Sequence, residues 1–526
     1  MASPALADTP DLSGPNLAAY VRARAADADG KAAIAAAAYA TALAGAPDNA
    51  VIAVRAYRQA FESGDFVLAR RAAAALRSDG AAPADLDLLD FADAVHSRNP
   101  RVAAATVDRI AKGPFEFLAP VLRAWLAHDG GDKQAAEKLL ASSENPLAKR
   151  YAAENRALLL MAEGRYDDGV AGIRALFAAG QGSLDLRIAA AEILRSKGKK
   201  DLAAGLLAGN DPTLTALREH PGKAPKPNAA FGASRLFTRL TADLGQGDPT
   251  PLSVILARLS LLLDPGNARA RLLLADTLAR EGSPDRALAT LDDIPRDSPY
   301  AGAARRARVA LLDGAGDSAD ALAAARALSD AGDDHDAQRY GDLLMEAGRF
   351  DEAAAAYGLA IDRVGADAGW THYLQRGGAL DRAGRWAEAK PLLEKAVELG
   401  PDQAIALNYL GYARIERREE MAGAQAMLEK AAKLRPDEPS IADSLAWAYF
   451  VRGAPAKALP LLEGAAQKKP DNVAINEHLG DAYWALGRRF EARYAWRAAA
   501  VYAEDGDATR LAAKLVSGPQ PATARD

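Results

Sequence analysis

Apolar residues recur at spacings of three and four in short runs, and successive runs are broken by a glycine and closed by a proline. Between Trp370 and Pro401 the small and apolar positions are Gly377, Leu380, Gly384, Trp386, Ala389, Leu393 and Ala396. Between Pro439 and Pro470 they are Leu445, Ala446, Tyr449, Gly453, Ala458, Leu462 and Ala465. Such spacing lays one apolar stripe along each of two helices. The glycine ends the first helix in a backbone conformation that other residues resist, and the proline stops the second. Small residues, Gly411 and Gly480 in first helices and Ala389, Ala458 and Ala492 in second ones, let the two cross closely. Each unit therefore predicts an antiparallel helical hairpin.

The unit repeats. Gly30, Gly64, Gly131, Gly164, Gly198, Gly282, Gly316, Gly348, Gly384, Gly453 and Gly487 mark a beat whose interval is 34 at Gly30 to Gly64, Gly164 to Gly198 and Gly282 to Gly316. Pro401, Pro436 and Pro470 repeat it at 35 and 34, the 35 arising from an extra residue near Arg417 to Met421. The N-terminal units keep phase more loosely: Asn16 to Pro47 holds Gly30, Ala35, Tyr39 and Ala42, and the next unit holds Gly64, Phe66 and Ala69. A period of this length means stacked hairpins that bury a common core.

The rhythm fails between Ala208 and Gly232, where Pro212, Pro221, Pro225 and Pro227 accompany Lys223 and Lys226. This reads as a joint between two halves or as a long surface loop within one stack. The expected organisation is a flexible start over 1–15, degenerate repeats over 16–207, a proline-rich linker or loop over 208–233, repeats over 234–515 and a disordered tail over 516–526.

Charge and candidate chemistry narrow the function. With 65 basic and 70 acidic residues the chain carries a net charge of −5, so no overall field attracts nucleic acid. No run of eighteen apolar residues occurs, since Arg258 interrupts even Val254 to Leu263, and no membrane span is expected. Ala5-Leu6-Ala7 has the small-x-small form of an export cleavage site without a charged and apolar segment ahead of it. It reads either as the remnant of a trimmed export signal or as an ordinary flexible start. Cysteine is absent, which is compatible with an oxidising compartment without requiring one.

The six histidines, His96, His128, His220, His335, His372 and His478, are scattered without helical zinc spacing, so neither metal nor cofactor is expected. Ser196-Lys197-Gly198-Lys199 has the serine and lysine spacing of some acyl enzymes but falls on a predicted hairpin turn. Asp167-Asp168 and Asp333-Asp334 stand at predicted helix starts, where carboxylates cap and offset the dipole.

The pattern resembles the tetratricopeptide repeat family, whose large and small positions are matched by Leu410, Gly411, Ala431 and Pro436 in one unit and by Leu479, Gly480, Tyr483, Ala492 and Trp496 in another. Gly348, Phe350, Ala353, Tyr357 and Ala360 make a further good unit, and Gly282, Ala287, Leu291 and Pro299 a plainer one. The resemblance implies an all-α fold, an α-solenoid of about 13–14 hairpins forming a right-handed superhelix, whose first helices line an open concave face that binds protein or peptide partners.

Matched to that face are Asn408, Tyr409, Tyr412, Asp443, Ser444, Trp447, Phe450, Glu477, His478, Asp481 and Trp484. The aromatics among them would anchor an extended or helical peptide, and the acids would favour some positive charge on it. Trp447 and Trp484 could equally fill the space between hairpins. Near the N-terminus the matching positions are Tyr20, Arg24, Val54, Arg55, Arg58 and Phe61, a second face suited to acidic segments or simply a solvated one.

The order of a Tyr20–Arg24 helix, loose units, a proline-rich break, Leu407–Gly411, Asp443–Trp447 and Glu477–Trp484 also looks like exported bacterial tetratricopeptide adaptors. Those lipoproteins hold carboxyl-terminal-processing proteases and present cell-wall hydrolases to them, though the lipid-bearing cysteine is missing here. This implies a non-catalytic adaptor, periplasmic or outer-membrane-associated, with a protease and cell-wall enzymes as partners. A cytosolic scaffold or co-chaperone-like module is the other reading.

Overall fold

The computed structural model describes residues 15–78, 82–141, 145–247 and 250–519, and these contain thirty α-helices and no strand. The proposed export remnant at Ala5–Ala7 and the end of the chain from 520 lie outside the described residues.

In the first part of the chain α1 (Pro15–Ala28) and α2 (Ala32–Gly45), α3 (Ala50–Ser63) and α4 (Phe66–Ser78), and α5 (Leu86–His96) and α6 (Pro100–Ile110) form successive hairpins. They continue with α7 (Ala119–Asp129) and α8 (Lys133–Ala141), α9 (Pro146–Ala162) and α10 (Tyr166–Ala178), and α11 (Leu184–Ser196) and α12 (Lys200–Leu206). A single helix α13 (Pro212–Glu219) precedes the long pair α14 (Ala229–Leu244) and α15 (Pro251–Leu263). Then come α16 (Ala268–Arg280), α17 (Pro284–Asp292), α18 (Ala301–Gly314) and α19 (Ser318–Ala331).

The remaining hairpins are α20 (Asp334–Glu346) with α21 (Phe350–Val364), α22 (Trp370–Arg382) with α23 (Trp386–Leu399), and α24 (Ala404–Arg417) with α25 (Met421–Leu434). After α26 (Pro439–Val451) with α27 (Pro455–Lys468) and α28 (Val473–Ala485) with α29 (Arg489–Tyr502), a last single helix α30 (Asp505–Ser517) follows. The fold is thus all-α, a solenoid of tetratricopeptide-like hairpins.

The turn chemistry read from the glycine beat holds at every position. All eleven glycines have left-handed φ, from +68° at Gly30 to +94° at Gly164. Where the glycine is missing, Arg98 (φ 55°) and Arg418 (φ 57°) adopt that conformation themselves, the second followed by Glu420 at 45°. This is the irregular unit with the extra residue. The small positions also behave as the crossing argument requires: a Cβ on Gly411 would meet Leu428 at 2.9 Å, and one on Gly480 would meet the Trp496 ring at 2.3 Å.

By internal contacts the chain divides into two compact units, residues 1–321 and 322–526, the division falling inside α19. The proline-rich segment is therefore interior to unit 1 and holds helix α13. In unit 1 one hydrophobic cluster runs without interruption from Ala23 to Ala304. Unit 2 has several small ones, among them a cluster about Leu393, another about Leu428 and another about Leu462.

Unit 1 departs from an open stack. Helices α14 and α15 lie across the first helices of the hairpins before them and fill the inner face. Arg258 of α15 donates from Nε to Phe61 O and from Nη2 to Glu62 O, both at 3.0 Å, at the end of α3. Gly232 of α14 abuts Trp125 of α7, whose ring a Cβ would meet at 2.2 Å. Tyr151 of α9 donates to Asp243 of α14 at 2.8 Å. In unit 2 helix α30 runs to Ser517, two residues into the segment read as a tail from 516, and Gly518 packs on Trp484.

Candidate functional site

The residues matched to the inner face of unit 2 sort into two sets. The first spans α24, α26 and α28. Phe450 and Trp447, three residues apart on α26, stack with ring centroids 5.0 Å apart and 12° between planes. His478 of α28 also stacks on Trp447, at 4.0 Å and 15°. The indole N–H of Trp447 donates to Glu416, which is exposed at the end of α24. His478 Nδ1 lies 2.9 Å from Asp443 Oδ1. Burial by itself would lower the His478 pKa, but the Asp443 carboxylate, with Asp481 and Glu416 nearby, outweighs it and the net shift is upward. Tyr412 completes the set, its phenol pushed up by burial and by the acids Glu416, Asp443 and Glu477.

The second set is already occupied. Arg510 of α30 grips Glu477 with Nε at 2.8 Å and Nη2 at 2.7 Å, and Lys514 reaches Glu477 at 2.7 Å and Asp481 at 2.6 Å. Desolvation pushes the Glu477 carboxyl up, yet the hydrogen bonds from Arg510 and Lys514 win and bring it down to about 2. Asp481 also accepts from Trp496 Nε1 at 3.1 Å. Trp484 is covered by Gly518 and carries the guanidinium of Arg489 over its ring at 4.5 Å.

Asp443, Glu477 and Asp481 are thus buried and satisfied from within, and the expectation that they invite a positively charged partner is corrected: the chain supplies those cations itself. Trp484 likewise belongs to inter-helix packing. Ser444 is buried and its hydroxyl donates to Ser440 O at 2.9 Å. Tyr409 is spent on α22, donating to Asp381 at 3.1 Å, while Asn408 keeps a buried Oδ1 that lacks a partner among the described residues.

Sequence reading missed Arg510 and Lys514. Their spacing of four matches that of Glu477 and Asp481, and that match across two helices was the available signal.

The inner face of unit 1 is polar where the filler pair crosses it. Arg235 of α14 donates twice to Glu192 of α11, at 2.8 and 3.1 Å, and once to Asp264 at 2.9 Å. Asn267 Nδ2 donates to Thr238 at 2.9 Å and Ser234 at 3.1 Å, and Ser260 joins both hydroxyls. Beside this network lies a cavity of 370 Å³ lined by Asp185, Leu217, Lys223, Arg269, Arg271 and Tyr300, among others.

Arg24 and Arg58 are exposed and Arg55 is half-buried, whereas Phe61 is buried in the core against Tyr57 and Phe66 and is not part of a binding face. Tyr20 meets Tyr39 edge-on at 6.2 Å.

The remaining candidate chemistry reads as structure. Ser196 donates to Ile193 O at 2.7 Å within its turn, and Asp333 caps α20 by accepting from Asp336 N at 3.1 Å. Asp333, Asp334 and His335 offer ligand atoms within 4.8 Å of one another, with His335 exposed. No helix among the described residues is long and apolar enough to cross a membrane.

Sequence profiles of the tetratricopeptide repeat match residues 255–312, 374–439 and 416–473, and the chain carries such repeats there. No curated protein is similar in sequence. Among solved structures, the chain is similar to a MamA protein at 26% identity, over 32% of this chain and 91% of that one with a TM-score of 0.27. A tetratricopeptide repeat protein from Parabacteroides merdae has 14% identity over 47% of this chain and 96% of its own, with a TM-score of 0.40. MamA from Desulfovibrio magneticus has 17% identity over 32% and 92%, with a TM-score of 0.28. The repeats define a protein-interaction scaffold.

Proposed function

We propose that this protein is a non-catalytic adaptor that holds a peptide segment of a partner protein on the inner row of unit 2. The observation that carries this is the Phe450–Trp447–His478 stack, which bridges two successive first helices and stays partly exposed at Trp447 and Phe450, while its acidic neighbours Asp443 and Asp481 are paired within the chain. Large aromatic anchors are where interface energy concentrates. The segment it takes is chiefly apolar or aromatic, with Glu416 as the exposed acid at the edge.

The finer reading is an adaptor of the bacterial envelope that brings a processing protease together with a cell-wall enzyme. Its support is the order of segments shared with exported adaptors of this repeat class. Pull-down from envelope and cytosolic extracts with the wild-type chain and with Trp447→Ala tests both levels. The expected result is an envelope protease recovered by the wild type and weakened by about 2 kcal/mol in the variant. Equal recovery by both proteins would remove the stack as the site, and cytosolic partners alone would remove the envelope reading.

A further inference from the structure

The repeats of unit 2 serve as their own control for what an outward helix face carries. Aligned on the small crossing residues Ala353, Ala389, Ala424, Ala458 and Ala492, the second helices share an outer row whose members are all solvent-exposed. In α21 that row reads Asp351, Ala355 and Asp362; in α23, Ala387, Pro391 and Glu398; in α25, Ala422, Ala426 and Lys433; in α27, Ala456, Pro460 and Gln467. Four successive units keep it small or polar, as a face left in water requires.

The fifth does not. In α29 the same positions are Phe490, Tyr494 and Val501, exposed by 71%, 56% and 74%. Phe490 and Tyr494 meet edge-on at 4.9 Å, so they form one surface. Terminal repeats of solenoids ordinarily turn a polar face outward, and a clustered exposed apolar surface marks an interaction site.

A charge change accompanies the apolar one. One position in from this row stands Glu394 in α23, Glu429 in α25 and Glu463 in α27, and each accepts from the following hairpin, through Arg414, Tyr449 and Tyr483 respectively. In α29 the residue there is Arg497, exposed, resting over Tyr494 at 5.8 Å with no carboxylate paired to it among the described residues. The acceptor of the earlier units has become a donor, so the complementary group is an acid.

We infer that the outer face of α29 is a second docking surface, separate from the inner row, and that it takes an amphipathic helix of a partner protein whose apolar stripe is flanked by carboxylates. From Phe490 to Val501 the surface runs about 16 Å, enough for three turns of a partner helix. A second copy of this chain is a poorer occupant, because two α29 faces packed about a dyad would bring the two Arg497 side chains together without an acid between them.

The test uses the full chain and two designed fourteen-residue helical probes with leucines at i, i+4, i+7 and i+11, flanked in one by glutamates and in the other by lysines, read by fluorescence anisotropy. Arms with anionic vesicles and with the chain alone in sedimentation run alongside. The variants restore what the preceding units carry: Phe490→Ala with Tyr494→Ala, and Arg497→Glu, neither of which disturbs a buried contact.

The expected outcome is binding of the glutamate probe at least tenfold tighter than the lysine probe, a tenfold or greater loss in the double variant with an unchanged melting temperature, and a reversed preference in Arg497→Glu. Binding of vesicles but neither probe, dimerisation through α29 without probe binding, or probe affinity indifferent to the variants each overturns the inference. Trp447→Ala leaves the probe affinity unchanged, which separates this surface from the inner row.

Discussion

Units 1 and 2 are built from the same hairpin, with the same left-handed turn and the same small crossing residues, yet one has buried its inner face and the other has kept part of it open. In unit 1 the pair α14–α15 lies over the first helices of earlier hairpins, and the apolar clusters merge into one from Ala23 to Ala304. In unit 2 nothing comparable crosses the first helices among the described residues, and the core stays divided into small clusters between neighbouring hairpins. Only at its end does α30 play a lesser version of the same part, seated on Glu477, Asp481 and Trp484. A repeat therefore specifies the walls of a groove without specifying whether the groove is free.

The sharpest way to break the comparison is to unseat the filler pair. Arg235 is largely buried between Glu192 and Asp264, and Arg235→Met leaves two partly buried carboxylates without their cation. We expect a loss of about 3 to 5 kcal/mol, read by hydrogen exchange as faster exchange across α14, α15 and α11, with α20 to α29 unaffected. Protection lost equally in both units would mean that the filler pair does not define unit 1.

A smaller effect separates α30 from the repeats it covers. The Glu477 carboxyl is held at about 2, below its ordinary value of 4.5, so it stabilises the docked helix fully above pH 4.5 and loses that contribution as pH falls through about 2. The gap corresponds to about 3 kcal/mol at neutral pH. Exchange of the α30 amides should therefore quicken between pH 4.5 and 2, and in Glu477→Gln it should already be fast at neutral pH without that step. An α30 whose protection is the same in both proteins would show that Leu511 and Trp484 hold it without the ion pairs.

The smallest effect tests whether the turn rule is local. Arg98 in unit 1 and Arg418 in unit 2 sit where other turns have glycine. Replacing either by glycine relieves the left-handed strain but loosens the unfolded chain, for a net gain of at most about 1 kcal/mol. Equal gains in thermal unfolding would show that both units obey one turn chemistry; a gain in only one would tie the strain to its surroundings.

The hairpins were legible because what makes them is local. A glycine that must turn left-handed, an alanine or glycine that admits a close neighbour and a proline that ends a helix act within one period of about 34 residues, and repetition multiplies the signal. The three-ring stack was partly legible: Trp447, Phe450 and His478 stood at inner-face positions, but that His478 would lie on Trp447 and pair with Asp443 depends on how two hairpins meet. The acids beside them were misjudged because a carboxylate in sequence does not announce its cation.

The amino-acid order by itself thus determined the helices, their pairing, the handed turns and the row each side chain joins, since these follow from backbone conformation and side-chain size over short separations. Which rows remain free was decided by the tertiary structure alone. Arg258 meets α3 across 197 residues, and Arg510 meets Glu477 across 33, from a helix that belongs to no hairpin. Those contacts are set by the close packing of distant segments and by the cost of burying an unpaired charge, neither of which leaves a period in the chain.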